Sequence, residues 1–178
     1  MIDALRHASC FRHEVETIEV IESDLAWVVL TGPYAYKIKK PLDLYFLDAS
    51  TLELREQLCQ SEFTLNQRSF ADLYLGVVGI YDDNQEIKVE DGSGRLIEYA
   101  VKMRQFDPTK TLDRIHDREG LNHSRLEQLC QEVFELHAKA PVSGIETPFG
   151  EPNSLYVPAQ LNFDQVRPHL TEAKDLAQ

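Results

Sequence analysis

The segment from Tyr34 to Lys40 carries the side chains with the clearest capacity for chemistry. Its residues alternate as in an extended strand, which places Ala35, Lys37 and Lys39 on one face. A small residue two positions before a lysine leaves room for a flat ring, and the lysine ammonium then reaches anionic groups such as phosphates. The segment therefore predicts a binding face for a phosphorylated ligand on a sheet.

A carboxylate partner for these lysines is predicted on the helix that follows. Glu62 lies four residues after Leu58 and three before Leu65, so it shares the apolar stripe of that helix. A carboxylate that faces a core is unfavourable unless it is paired, and Lys37 is the natural partner. The spacing alone also permits another interpretation, in which the lysines form a solvated basic edge and Glu62 faces water.

The composition of the chain excludes several function classes. Its 178 residues are 43% hydrophobic and 27% charged, as in an ordinary globular domain. A formal net charge of −12 argues against binding to a nucleic-acid backbone, although a local basic pocket is compatible with it. There is no run of roughly 20 apolar residues and no secretory leader, and the three cysteines lack zinc or disulfide spacing. We therefore expect a cytoplasmic protein with neither a membrane nor a nucleic acid as partner.

Strand-like and helix-like patterns are separated along the chain rather than alternating. Strand-like runs are predicted over 15–22, 25–31, 34–39, 74–81, 86–90 and 95–104. Helical patterns are predicted over 1–14, from a capping box at Ser50 and Glu53 to about residue 69, over 110–116, over 122–139 and over 171–178. This segregation favours an α+β fold with an antiparallel sheet.

Several consecutive segments resemble one bacterial family. They are Thr-Gly-Pro-Tyr-Ala-Tyr-Lys-Ile-Lys-Lys-Pro at 31–41, Phe-Leu-Asp at 46–48, Glu62 with Asn66 and Arg68, Asp-Leu-Tyr-Leu-Gly-Val-Val at 72–78, Glu-Tyr-Ala-Val-Lys-Met at 98–103 and Leu-His-Ala at 136–138. The family is the aminoglycoside-phosphotransferase-like proteins of uncharacterised substrate, which are kinase-like and often fused to a C-terminal P-loop ATPase domain. The resemblance covers most of residues 15–141.

The resemblance implies a fold and a division of the chain. Residues 1–104 would form a protein-kinase-like N-lobe, with an antiparallel sheet of about five strands and one long helix. Residues 105–178 would form the hinge and the first helices of an incomplete C-lobe. ATP is the implied cofactor, with Mg in a complete enzyme.

The same resemblance assigns the residues of a nucleotide site. Lys37 would pair with the phosphates and Glu62 would be its helix partner, with Lys39 as the alternative if the register is shifted by one pair. The backbone of residues 100–104 would be the hinge that binds the adenine edge. The predicted nucleotide contacts are Lys37, Glu62, Lys39, Ser23, Ala35, Val101 and Met103.

The chain departs from the family pattern in two ways. The turn from Glu22 to Leu25 has no glycine, so the Gly-rich phosphate cover of kinases is absent, and Ser23 with nearby amides is predicted to contact phosphate instead. Relatives also carry a His-Gly-Asp motif and a downstream metal-binding Asp, and none of the six histidines begins that motif. The P-loop sequence of the fused ATPase domain is missing as well.

These departures set the functional hypotheses. The leading one is the nucleotide-binding portion of a phosphotransferase, truncated ahead of its catalytic loop and inactive alone. The alternative is a non-catalytic interaction or dimerisation module derived from a kinase-like fold, because a lone lobe leaves an apolar face that favours association. Possible partners are then a second copy of the chain, the missing C-terminal lobe or a P-loop domain.

Overall fold

The computed structural model describes residues 1–142, 144, 147 and 151–167, and the helix predicted at 171–178 lies outside them. The chain divides into two compact units, Met1–Leu121 and Asn122–Gln178. The first contains β1 (Glu19–Glu22), β2 (Ala26–Leu30), β3 (Tyr34–Lys39), β4 (Asp43–Leu44), β5 (Leu47–Asp48), α1 (Leu52–Gln67), β6 (Tyr74–Asp83), β7 (Glu86–Val89), β8 (Arg95–Arg104) and α2 (Leu112–Glu119). The second contains α3 (His123–Lys139) and α4 (Pro152–Val166).

The first unit is built on an antiparallel sheet. Within the described residues, six strands pair in the order β1-β2-β3-β8-β6-β7, and β4 pairs with β5 in a separate hairpin. The last long strand, β8, inserts between β3 and β6, so β3 and β8 lie at the centre of the sheet. The predicted α+β fold with an antiparallel sheet is confirmed, with one more strand than the five expected.

The strands that alternate most regularly are where the sequence predicts them. β3 and β8 match the predicted bounds, and Tyr36 of β3 pairs with Lys102 of β8. β1 begins at Glu19 instead of residue 15, because Val15 and Ile18 pack against the core and do not join the ladder.

The N-terminal segment, residues 1–18, covers one face of the sheet. It forms two short 3-10 turns, Ala4–Arg6 and Ala8–Cys10, so the predicted helix over 1–14 is wrong. The core it closes consists of Leu5, Cys10, Phe11, Val29, Tyr36, Ile38, Ile80, Val89 and Ala100. The hydrophobic core therefore lies between this segment and the sheet, on the face opposite Lys37.

Helix α1 packs on the other face, against β6 and β8. Thr51 caps it by accepting a hydrogen bond from the Leu54 amide at 3.3 Å, whereas Ser50, the predicted cap, donates its hydroxyl to Asp48 at 2.7 Å. The sheet-facing positions include Arg55 and Cys59, which are buried. The predicted apolar stripe is wrong at Leu65, which is 58% exposed.

The second unit is helical in its described residues. Helix α3 confirms the prediction over 122–139, and the side chain of Asn122 caps it by accepting from the Arg125 amide at 2.9 Å. Helix α4 begins with Pro152 and contains Pro158 in its interior. Of the helices that the structure describes, none combines the length and apolar character needed to cross a membrane.

Candidate functional site

Glu62 holds two lysines of strand β3. Lys37 donates from Nζ to Oε1 of Glu62 at 2.8 Å, and Lys39 contacts Oε2 of the same carboxylate. The Glu62 side chain is only 13% exposed, so the interpretation in which it faces water is wrong. The predicted pairing of Lys37 with Glu62 is present, and Lys39 shares the carboxylate instead of replacing Lys37.

Lys37, Lys39 and Glu62 form a charged trio, and its electrostatics favour the ionised form of the Glu62 carboxylate. Burial alone raises the pKa of Glu62, but hydrogen bonds from Lys37 and Lys39 and their charges outweigh it and lower the pKa below its ordinary value. Two cations share one anion, so the trio carries one positive charge that Glu62 does not balance. A partly buried excess charge of this kind favours an anionic ligand.

A second ion pair, which the sequence did not predict, fixes the start of α1. Nε of Arg55 lies 2.9 and 2.8 Å from the two carboxylate oxygens of Glu98, and both side chains are buried. Arg55 also donates from Nη1 to the carbonyls of Ala49 and Ser50. The available signal was the position of Arg55, which lies seven residues, or about two helical turns, before Glu62 on the same face of α1. Its partner Glu98 is 43 residues away along the chain, and such a pairing is not visible in a sequence.

Cys59 and Tyr74 complete the surroundings of the trio. Cys59 lies between Arg55 and Glu62 on the same helix face, and burial raises the pKa of its thiol to about 11. Tyr74 opens β6, and burial together with the charge of Glu62 raises the pKa of its phenol. Both side chains are thus neutral near pH 7, and the charge of the site resides on the trio.

Residues 100–104 were predicted to form a hinge, and the structure places them in strand β8 instead. Val101 pairs with Lys37 on one side and Val77 on the other, and Met103 pairs with Ala35 and Tyr74. Their backbone groups are used by the sheet and do not form an open edge for an adenine.

The side chains around the predicted ring site are mostly covered. Ala35 is 6% exposed and Val101 is fully buried, so both are covered by protein atoms, whereas Met103 is half-buried. The amide of Gln105 also bonds to the Pro33 carbonyl at 3.1 Å. A role for Ala35, Val101 and Met103 in nucleotide contact stays a prediction.

Ser23 lies in the turn between β1 and β2, and its polar groups bond within that turn. Its amide and its hydroxyl donate to the Ala26 carbonyl at 2.9 and 3.0 Å, and the hydroxyl accepts from the Ala26 amide at 3.2 Å. Ala26 pairs with Lys39, so the turn lies at the Lys39 end of the sheet. The neighbouring Glu22 is paired with Lys40, 2.5 Å away.

The described residues offer no obvious metal centre. Across them, no group of three or more His, Cys, Asp or Glu side chains is placed to hold an ion. The site is therefore defined by ammonium and carboxylate groups on β3 and α1. Ammonium groups held in this way have the chemistry to bind and orient an anion.

Comparison with known proteins identifies relatives of the chain but does not assign it to a family. Over 135 residues the chain is 32% identical to proteins named as uncharacterised in two strains of Mycobacterium tuberculosis and in Mycobacterium bovis. The matched region is 74% of this chain and 25% of each relative, so the chain spans about a quarter of the length of these relatives. No protein-family model matches the chain, and no solved structure does.

Proposed function

We propose that the chain is the nucleotide-binding portion of a kinase-like phosphotransferase of the aminoglycoside-phosphotransferase type, and that it binds ATP through Lys37. The observation that carries the proposal is the 2.8 Å ion pair between Lys37 on β3 and Glu62 on α1. Kinases place a phosphate-pairing lysine on their third strand and its glutamate partner on the helix that follows. Here the lysine is on the third strand and the glutamate on the next helix.

The strand order supports the same proposal. A meander of three strands is followed by a helix and then by strands whose last member, β8, lies beside the lysine strand. This arrangement puts Lys37 in the centre of the sheet, flanked by Val28 and Val101. A side chain fixed on a central strand is held more rigidly than one on a loop, as orienting a phosphate requires.

Within this proposal Lys37 and Glu62 divide two tasks. The Lys37 side chain is 33% exposed, which leaves its ammonium accessible to a phosphate, whereas Glu62 is nearly covered and orients it. Mg would join the phosphates in a complete enzyme. The motif that carries the catalytic base and metal-binding carboxylates of complete kinases of this type does not occur in these 178 residues, so the proposal includes no phosphoryl transfer by the chain alone.

Isothermal titration calorimetry with ATP tests the proposal. The wild-type chain is expected to bind ATP, and Lys37→Met is expected to weaken binding about tenfold or more, because a charge-assisted contact is lost. Lys40→Met is the matched control, since it removes a neighbouring charge that is paired with Glu22. Absence of ATP binding by the wild type, or equal losses in the two variants, would contradict the proposal.

Two exposed aromatic side chains favour the alternative, an interaction or dimerisation module. Tyr45 and Phe46 form the turn between β4 and β5 and are 75% and 69% exposed. Aromatic side chains presented together on a hairpin are typical of contact surfaces. Light scattering after size-exclusion chromatography discriminates: a dimer that ignores ATP and becomes monomeric on Tyr45→Ser with Phe46→Ser supports this function over nucleotide binding.

A further inference from the structure

Lys39 is an unusual addition to the lysine–glutamate pair. A single lysine satisfies the carboxylate of a simple ion pair, yet here each oxygen of Glu62 contacts a different ammonium, from Lys37 and Lys39. The Lys39 side chain is 16% exposed, so solvent screens its charge less than it screens a surface lysine. The second cation therefore raises the positive potential where a ligand would meet the first.

The turn beside Lys39 already uses two of its backbone donors internally and contains no glycine. The Ser23 and Ala26 amides are both used inside the turn, and the Ser23 hydroxyl donates to the Ala26 carbonyl. Glu22 and Asp24 add negative charge to the same turn. Lys40 at the same end is paired with Glu22, so Lys39 is the lysine there that faces the Lys37–Glu62 pair.

We infer that Lys39 is a second phosphate-binding side chain and that the site takes a ligand with at least two linked phosphates, a nucleoside di- or triphosphate. The inference rests on the proposed function. Lys37 and Lys39 are two residues apart on one strand, about 7 Å along the backbone. Because both ammonium groups reach one carboxylate, they converge at their tips and bind neighbouring phosphates of one chain.

The test is calorimetric titration of the 178-residue chain with ATP, ADP, adenosine and inorganic tripolyphosphate. Lys39→Met keeps the length of the side chain and removes its charge, and Lys40→Met is the control. Lys39→Met is expected to weaken ATP and ADP binding about tenfold or more and to leave adenosine within about twofold. Lys40→Met is expected to leave all four ligands within about twofold.

A measurement on the wild-type chain keeps the inference testable if Lys39→Met does not fold. Acetylation of lysines by acetic anhydride, followed by mass spectrometry, reports which ammonium groups a ligand covers. ATP is expected to protect Lys37 and Lys39 and not Lys40, and adenosine is expected to protect none of the three. Unchanged labelling of Lys39 with ATP bound would overturn the inference.

The outcomes separate this inference from the proposed function. ATP binding that is weakened by Lys37→Met but not by Lys39→Met overturns the role of Lys39 and keeps the nucleotide site. Equal weakening of ATP and adenosine by Lys39→Met overturns it too, since the effect is then not on phosphate. Tripolyphosphate that binds as tightly as ATP, without adenosine binding, overturns the nucleotide class, and a wild type that binds no ligand overturns both.

Discussion

Glu62 is the residue on which the charge balance of the site depends. It holds Lys37 and Lys39, so its replacement leaves two ammonium groups close together with no anion between them. We expect Glu62→Gln to lower the free energy of unfolding by about 1–3 kcal/mol, measured by urea denaturation. Glu86→Gln is the control, because Glu86 is an exposed partner of Lys88, and we expect a change within about 0.5 kcal/mol. Equal effects of the two variants would contradict the buried role of Glu62.

The same residue gives the stability a dependence on pH. The lysines lower the pKa of Glu62 in the folded chain against the opposing effect of burial, so the ionised form is favoured by folding. Its contribution is complete above the ordinary glutamate pKa of about 4.3 and is lost as pH falls through the lowered value. The difference between wild type and Glu62→Gln is therefore expected to be largest near neutral pH and to shrink below about pH 4, in urea denaturation across pH. A difference that grows on acidification would refute this.

At the scale of elements, the Arg55–Glu98 pair ties the first turn of α1 to β8. Removal of Arg55 leaves Glu98 as a buried, poorly paired carboxylate and leaves the carbonyls of Ala49 and Ser50 without this donor. We expect Arg55→Met to cost about 3 kcal/mol of unfolding free energy by urea denaturation. The double variant Arg55→Met with Glu98→Leu is expected to recover part of that loss, because no unpaired charge remains. A double variant less stable than the sum of both single changes would argue against this explanation.

The N-terminal segment is an integral part of the sheet's packing. Leu5 is 1% exposed within the core that this segment closes, so truncating its side chain leaves a cavity. We expect Leu5→Ala to lower the free energy of unfolding by about 3 kcal/mol. Leu25→Ala, at a position that is 38% exposed, is the matched control and is expected to cost less than about 1 kcal/mol. Similar losses at both positions would show that the segment does not close the core.

The sequence was sufficient to predict elements whose side chains alternate or follow a helical period. It was insufficient where contacts between residues far apart in the chain determine the structure. Strands β3 and β8 were predicted with the observed bounds, and Glu62 was predicted to pair because a carboxylate facing a core requires a partner. The helix cap moved from Ser50 to Thr51 because Asp48 binds the Ser50 hydroxyl. Residues 100–104 were mistaken for a hinge, because only strand pairing on both sides shows that β8 is central.

At the scale of the molecule, the trio is a cationic site in an acidic chain. The net charge of −12 repels an anion at long range, whereas Lys37 and Lys39 attract it at contact distance. The general field and the local site thus act in opposite directions on a phosphorylated ligand. Binding is then governed by the few groups that touch the ligand.

The whole chain is expected to bind ATP without turning it over. Phosphoryl transfer needs a positioned base and metal-binding carboxylates. The His-Gly-Asp motif that carries the base does not occur in these 178 residues. A coupled phosphate-release assay with ATP and Mg is expected to give no hydrolysis above background. Hydrolysis that disappears on Glu62→Gln would show that the described site is catalytic as well as binding.

The reactivity of the Cys59 thiol reports how often helix α1 detaches from the sheet. Its thiol is fully buried among the charges of the site and its pKa is raised to about 11, so it reacts with a disulfide reagent such as DTNB only when the helix leaves the sheet. Cys130, which is exposed, reacts at once and calibrates the assay. Glu62 ties α1 to Lys37 and Lys39 of β3, so the rate at which Cys59 is modified measures how often the helix leaves these lysines.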